Sequence, residues 1–489
     1  MNLYPDQETF VAQIRDAFRS HQAVLAQAAT GFGKTIVASF IAKAAAAKGK
    51  RVYFTVHRKN LITQTQRAFH SMGIPHGVIA AGRSEMLHEP VQIISIQSLA
   101  RRLERIPPCD LAVIDECHLA CSPSWSRVLH HFKSNGARLL GNSATPARLD
   151  NKPLGEHFDV IVEGPSVRSL IDAGRLSDYR IFAPSTPDLH DVSTRAGEYV
   201  SDELEEVMDT GAITGGAVEH YRRLMPGKRA IAFCVSIAHS RHVADQFIAN
   251  GIPARHIDGE TSHDERQAAI AAFANGSVSV LCNVDLITTG FDLSAQVGRE
   301  VPVEGAIMLR PTQSTVLWIQ MIGRVLRRKP DPAIIADHAG GTMKHGLPCT
   351  LREWTLEGRK RRKSTSDETA PALRHCPDCF CVFRAILPAC PLCGWIPETK
   401  ARVPEHVDGE LVELDKAQIE KERMWRKQEE KTAASIDGFE GLVRLAVERE
   451  YATGWAAHRW AARLRRQGQH VSPNELFRQE RELRKAVGV

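Results

Sequence analysis

The strongest constraint on the fold is a pairing that recurs through the first two thirds of the chain. A short run rich in Val, Ile and Leu ends in polar residues, and a helical pattern follows it. "AVLAQ", "RVYFTVH", "VQIISIQ", "DLAVIDE" and "RLLGNSAT" do this within residues 1–165. "YRIFAP", "RAIAFCV", "ARHID", "VSVLCNV" and "GAIMLR" do it again between 175 and 345. Runs of this kind read as strands buried on both faces, and strands alternating with helices read as parallel α/β units. The expected fold class is therefore α/β, with two tandem parallel-sheet domains at 1–165 and 166–350 and function at the carboxyl ends of the strands. The two halves share this habit without a visible sequence repeat.

After "DHAGG" (Asp337–Gly341) the pattern stops. "GRKRRKSTSDETAPA" (Gly358–Ala372) is polar and basic, so 351–372 is read as a linker. A cysteine cluster occupies 373–400, and 401–489 is mostly helical in pattern. A chain of 489 residues suits several domains. Its start, "MNLYPDQETF", lacks the basic and apolar regions of a signal peptide. "IAKAAAAKGK" is broken by Lys43 and Lys48, so no membrane partner is expected. The default compartment is a reducing cytoplasm, bacterial or that of a phage host, where the 11 cysteines read as thiols or metal ligands before disulfides. A net charge of +6 permits a polyanionic partner without requiring one.

"AQAATGFGKT" (Ala26–Thr35) lies between a strand-like run and the helical "KTIVASFIAKAAAAK". Thr30, Gly31, Phe32 and Gly33 would form a loop whose N–H groups, with the helix start, cradle phosphate. Lys34 can reach the β and γ phosphates of ATP, and the Thr35 hydroxyl can ligate Mg²⁺. Ala28 keeps the first loop position small. In "LAVIDECH", Asp115 and Glu116 end an apolar run. One carboxylate can hold Mg²⁺ and the next can orient and deprotonate a water. A glycine-rich turn and a surface acidic pair are the structural alternatives; both motifs in this order, about eighty residues apart, favour a nucleotide site.

"AATGFGKT", "DECH", "SAT" (Ser143–Thr145) and "QMIGRVLR" (Gln320–Arg327) resemble motifs I, II, III and VI of superfamily 2 helicases. "VHRKNLITQT", "AIAFCVSIAHS" and "LITTGFD" resemble motifs Ia, IV and V, so the likeness covers residues 4 to 345. Within that superfamily the chain is similar to the DExH group that includes the type I and III restriction translocases, UvsW and RadD. The resemblance implies two RecA-like domains. It implies that Gln7 reads adenine, that Asp115 holds Mg²⁺ and that Glu116 is the catalytic base. His118, Ser143, Ala144 and Thr145 would couple the nucleotide to the nucleic acid. Gly290 and Asp292 would face the nucleotide from the second domain, and Gln320, Arg324 and Arg327 would close over the γ-phosphate. Two positions depart from the family pattern: Thr289 replaces a frequent glutamate and Met321 a frequent arginine. As alternatives, Arg324, Arg327 and Arg328 read as a solvated basic face and His118 as a helix-start histidine. Cys117 and Cys121 read as packing.

Cys376-x2-Cys379 and Cys390-x2-Cys393 can present four thiolates to a structural zinc ion, making a small ribbon that the metal stabilises. Two disulfides are the alternative. Cys381 reads as a spare thiol. Phe380, Phe383 and Trp395 read equally as base-stacking groups or as the ribbon's own core. "DKAQIEKERMWRKQEEKT" reads as a solvated connector helix, and "ATGW" separates two further helices, with Arg459, Arg463 and Arg466 on a solvated face. The expected activity is ATP-driven movement along nucleic acid, with DNA preferred over RNA and branched or single-stranded repair intermediates as substrates. Single-strand-binding protein is the candidate protein partner. The competing readings are an RNA helicase, the motor subunit of a restriction system, and a non-catalytic scaffold.

Overall fold

The computed structural model describes residues 3–57, 59–83, 86–119, 122–148, 152–184, 187–195, 197–287, 293–357, 372–397, 416–449, 451–467, 469 and 473–486. The first sheet comprises β1 (Ala23–Gln27), β2 (Val52–Val56), β3 (Gly77–Ile79), β4 (Val91–Ser95), β5 (Leu111–Asp115), β6 (Arg138–Ser143) and β7 (Val160–Glu163). Its strands are all parallel, in the order β3-β4-β2-β5-β6-β1-β7. Successive side chains on a strand enter opposite cores. Val24 and Ala26 join Phe54, Val113 and Leu140 beneath Phe10 and Ile14 of the helix Pro5–Ser20. Ala23 and Leu25 join Tyr53, Ala112 and Leu139 beneath Trp125 and Phe132 of the helix Pro123–Ser134. Burial on both faces explains why these strands lack polar alternation. It also sets β5, β6 and β1 side by side, so that "DECH", "SAT" and the glycine-rich loop leave one edge together.

The second sheet contains β8 (Tyr179–Phe182). A small antiparallel hairpin follows, β9 (Thr194–Arg195) with β10 (Glu198–Tyr199). The sheet continues with β11 (Ala230–Phe233), β12 (Ala254–Ile257), β13 (Val280–Asn283), β14 (Gly305–Met308) and β15 (Ala333–Asp337). Its strands are again all parallel, in the order β12-β13-β11-β14-β15-β8. The helix Thr315–Gly323 follows β14. The Ser314 hydroxyl caps it by accepting the Leu317 N–H at 3.2 Å, and Trp318, Met321 and Ile322 are buried against the sheet. The sheets thus agree with the expected α/β class. Strands β3, β7 and β15 extend them beyond the ten runs read from sequence.

The chain beyond the second sheet folds back. The Gly155 N–H donates to the Leu356 carbonyl at 2.9 Å, and Leu356 packs on the core beneath Trp125 and Phe132, so the chain at Leu356 lies against the first lobe. The cysteine segment forms an antiparallel pair, β16 (Leu373–His375) and β17 (Val382–Arg384). It is seated on the edge of the second sheet. Phe182 of β8 bridges to Cys381, the Ala183 N–H donates to the Phe380 carbonyl at 2.9 Å, and Phe182 shares a core with Phe383, Cys376 and Cys390. Phe383 is therefore core. Phe380 is half-buried, beside His220 with the Arg223 guanidinium over its ring.

Residues 399–489 form a separate compact unit. Its described helices are Lys416–Ile436, Gly438–Glu448, Trp455–Arg466 and Pro473–Ala486. The described side chains of the first are mostly exposed, in keeping with a solvated helix; near its end Ala434 is buried against Leu442 and Val443. Glu480 is completely buried. Its carboxylate accepts the N–H groups of Gly454 at 3.0 Å and Ala457 at 2.8 Å, and Arg484 donates to it at 3.2 Å. It thus caps the start of the helix Trp455–Arg466 from a distant helix. Glu480→Gln places a donor where an acceptor is needed and should remove ~1–3 kcal/mol from this unit. Hydrogen exchange on the full chain should quicken across 455–466 while β1 to β7 stay protected.

Candidate nucleotide site

The glycine-rich loop leaves β1 and turns into the helix Lys34–Ala46. Gly31 and Gly33 have φ of 90° and 94°, a region closed to residues with a Cβ. A Cβ on Gly33 would also lie 2.7 Å from the Gln7 amide nitrogen. Gln7 is buried and works twice. Its Oε1 accepts the Tyr4 N–H at 3.1 Å and its Nε2 donates to the Phe32 carbonyl at 2.8 Å, which ties the first helix to the loop. The Phe32 ring is buried edge-on against Phe10, so Phe32 faces the site with backbone only. Lys34 Nζ donates to the Ala28 carbonyl at 3.0 Å. Burial draws the Lys34 pKa down, while Glu116 and Asp115 oppose that shift.

Asp115 ends β5, and Glu116 follows with φ of 51°. Holding a glutamate there costs ~1–2 kcal/mol of backbone strain. Burial and the neighbouring Glu116 push the Asp115 carboxyl up to about 7. Burial acts on Glu116 in the same sense, yet charge nearby, from His118 in its protonated form and from Lys34, Arg324 and His57, outweighs it and holds its pKa below the usual value. The two adjacent acids are thus driven apart, one towards the neutral form and one towards the charged. A divalent cation beside Asp115 would reverse its shift, and the Thr35 hydroxyl at the helix start is a second oxygen donor of the kind Mg²⁺ takes.

His118 is fully buried behind this pair. Its Nδ1 donates to the Ser143 hydroxyl oxygen at 2.9 Å, which also accepts the Thr145 N–H at 3.0 Å. Its Nε2 accepts from the Gln320 amide at 3.1 Å. Burial lowers the His118 pKa, which agrees with a neutral ring in this tautomer. Gln320, also buried, lies 3.5 Å from Thr145 Oγ1. This contact crosses from the first lobe to the second. Close by, a Cβ on Gly323 would lie 2.6 Å from the Cβ of Thr30, so the helix end and the phosphate loop touch. The Arg324 charge acts on both Lys34 and Glu116. Arg327 is half-buried on the same segment. Its carbonyl accepts the Ser177 hydroxyl at 3.0 Å. The Ala144 carbonyl accepts from Gln27 at 3.1 Å. Gly290, Asp292 and Cys121 lie outside the described residues.

One pair was not read from sequence. Arg175, in the segment entering the second lobe, stacks 3.4 Å above the Tyr4 ring and pairs with Asp6 at 2.7 Å. Only the aromatic residue three positions before Gln7 could have signalled it, since its partner is distant in sequence. The second cluster is the cysteine set. The four Sγ atoms of Cys376, Cys379, Cys390 and Cys393 lie within 4.8 Å of one another. The pairs Cys376–Cys393 and Cys379–Cys390 are 3.5 and 3.6 Å apart. Tetrahedral zinc with bonds of ~2.3 Å sets sulfurs ~3.8 Å apart, so the set fits that ion. Cys381 is buried beside it, its thiol pushed up to about 11 by burial. Among the described residues, no helix is long and apolar enough to cross a membrane.

Comparison with known proteins agrees with this geometry. Residues 1–148 match the family described as "Type III restriction enzyme, res subunit", and residues 216–329 match "Helicase conserved C-terminal domain". A "51.5 kDa protein" of a Lactococcus phage (isolate 7-9) is 31% identical over 399 residues, spanning 80% of this chain and 83% of the relative. The "Putative ATP-dependent helicase IRC3" of Saccharomyces cerevisiae is 28% identical over 341 residues. That match spans 64% of this chain and 48% of IRC3, so the chain covers about half of that relative's length. Among solved structures, a fragment of an HsdR subunit of a type I restriction enzyme from Vibrio vulnificus YJ016 aligns with a TM-score of 0.54 at 20% identity. That alignment covers 70% of this chain and 65% of the fragment, and the likeness is one of fold.

The contact between the lobes generates a test. Gly323→Ala drives a methyl group into Thr30, an overpacking of ~1–3 kcal/mol that acts only when the lobes meet. The expected result is a kcat/KM for ATP lower by roughly 5- to 150-fold, with thermal unfolding unchanged. Adding Thr30→Gly, which removes the opposing Cβ, should restore part of the loss.

Proposed function

We propose that this chain, which belongs to the superfamily 2 helicases, is an ATP-driven motor that moves along DNA and acts on branched or single-stranded DNA in repair, recombination or replication. The reading rests above all on the buried contact between His118 and Gln320, which links the acid pair of one lobe to the helix of the other that ends at Arg324. A nucleic-acid-dependent ATPase needs such a link, because the state of the nucleotide has to move one lobe against the other.

In this reading Lys34 and the loop N–H groups hold the β and γ phosphates. Thr35 and Asp115 would hold Mg²⁺, which when bound draws charge from the phosphate oxygens. Glu116, kept ionised by the Lys34 and Arg324 charges, takes the proton of the attacking water. Arg324 reaches the γ-phosphate from the second lobe, and Arg327 follows on closure. Such a guanidinium contributes ~10³–10⁵ in rate. Gln7 and the Tyr4–Arg175 stack form the adenine end. His118, Ser143, Ala144 and Thr145 report hydrolysis to the nucleic-acid track. Gly290 and Asp292 keep their proposed place facing the nucleotide. The proposed domains are 1–165 and 166–350 for the lobes, 351–372 for a linker, 373–400 for a ribbon holding Zn²⁺ on its four cysteines, and 401–489 for the helical unit. Grip on DNA through phosphates makes binding sequence-tolerant and weaker in salt. Single-strand-binding protein is the proposed partner and the cytoplasm the proposed location.

ATP turnover with single-stranded, duplex and forked DNA and with matched RNA tests the reading. DNA should stimulate most; stimulation by RNA alone would favour an RNA helicase, and plasmid cleavage a restriction motor. Glu116→Gln should bind ATP normally and lose ~10²–10⁴ in turnover. Metal analysis should find bound zinc, lost in Cys390→Ser. Since the ribbon shares a core with Phe182, that variant should also unfold the second lobe at lower temperature.

A further inference from the structure

A cavity of about 130 Å³ lies where the two lobes meet. The first lobe contributes Thr30 and Ala144 to its wall, and the second contributes Gly323 with the end of the helix Thr315–Gly323. Lys34, Thr35, Asp115 and Glu116 do not line it, so it is not the place of the phosphates or of Mg²⁺. Ile322, Leu326, Val167 and Trp354 make the lining mainly apolar. The helix Val167–Asp172 follows directly on β7, so Val167 belongs to the stretch that leads from one lobe to the other.

One cation stands in this apolar wall. Arg352 is half-buried, and its guanidinium is held in place by the backbone. Nη1 donates to the Thr350 carbonyl at 2.9 Å, and Nη2 donates to the carbonyls of His345 at 2.8 Å and Leu347 at 3.2 Å. These bonds orient the fork and leave its charge in place. Among the described residues no carboxylate pairs with Arg352, and its Nε donates to no protein group. Burial pulls its pKa below the usual value, and an arginine stays charged all the same. Glu163, the carboxylate on the wall, is exposed, where water and salt screen it. A cation withdrawn from water without an acid beside it favours an anion that comes from outside.

We propose that the cavity binds a small aromatic carboxylate, with one ring among the apolar side chains and the carboxylate on the Arg352 fork. The volume sets the size of the ligand, since an apolar cavity of about 150 Å³ accepts a benzene ring. The planar guanidinium sets its charge and shape, because that fork matches a carboxylate. A ligand held here touches both lobes. It binds the arrangement in which Thr30 meets Gly323 and so opposes the movement that takes the lobes apart. It acts as a brake on ATP turnover and does not compete with ATP. The site stands on the cavity and Arg352, while the brake rests on the reading of the chain as an ATPase worked by two lobes.

The test uses the full chain, with phenylacetate and its neutral isostere phenylacetamide as probes. Saturation-transfer NMR should show phenylacetate bound and the amide bound roughly tenfold or more weakly. Arg352→Gln should erase the difference between the two. Val167→Phe, whose ring fills the cavity, should abolish binding of both without lowering the unfolding temperature, which keeps the test open should the Arg352 variant misfold. Phenylacetate should lower kcat for DNA-stimulated ATP turnover in the unmodified chain and not in Val167→Phe, and excess ATP should neither relieve the loss nor displace the probe. The proposal is overturned if phenylacetate does not bind, if the amide binds as well, if Val167→Phe binds like the unmodified chain, or if ATP displaces the probe. Binding with turnover unaffected overturns the brake. Binding as expected in a chain that shows no ATP turnover at all would instead defeat the motor reading.

Discussion

The structure depends on one neutral imidazole facing two ways. His118 donates to Ser143 in its own lobe and accepts from Gln320 in the other, and it is buried throughout. A buried ring with both nitrogens engaged has one tautomer and little freedom to turn. Any shift of Glu116 two residues away, or of the helix bearing Gln320, must therefore be accommodated by moving a lobe or by leaving polar atoms unpaired in the interior, which is costly. That is the physical content of the coupling proposed above. The crossing involves side chains with no net charge, so it remains short without the desolvation penalty of a buried ion pair.

Charge is concentrated one layer further out. Asp115, Glu116 and Lys34 act on one another and Arg324 acts on Glu116 and Lys34; burial raises the Asp115 pKa, while those of Glu116 and Lys34 are lowered. Two acids at the end of one strand cannot both be comfortably ionised without cations. The first lobe supplies Lys34 and the second supplies Arg324. The low pKa of Glu116 is consequently a property of the two lobes together. The strained φ of Glu116 fits the same picture, since backbone strain at a working residue persists only where its surroundings over-determine it.

Much of this was legible in the residues. The apolar runs of β1, β5 and β6 marked strands because both their faces are covered, and the polar residues ending them marked the edge where the site forms. The cysteine spacing announced a four-sulfur cluster. Other features left no local trace. Arg175 meets Tyr4 from 171 positions away, Glu480 caps a helix 23 to 26 residues upstream, and Glu198 holds a loop 114 residues downstream. Each is a long-range choice among many equivalent charged residues, and no periodicity singles one out. The seating of the ribbon was hidden for a different reason. Phe383 and Cys381 suit a miniature core equally well with or without Phe182, and only the open edge of β8 decides between them.

The central claim is that the lobes are coupled through His118 and Gln320 acting as a unit. A double-mutant cycle on DNA-stimulated ATP turnover tests it most directly, using His118→Ala, Gln320→Ala and the pair. If the two side chains serve one contact, the second substitution adds little to the first, leaving a coupling energy on the order of 1 kcal/mol or more. Losses that simply multiply, with no coupling, would contradict the account and leave the two lobes communicating by another route.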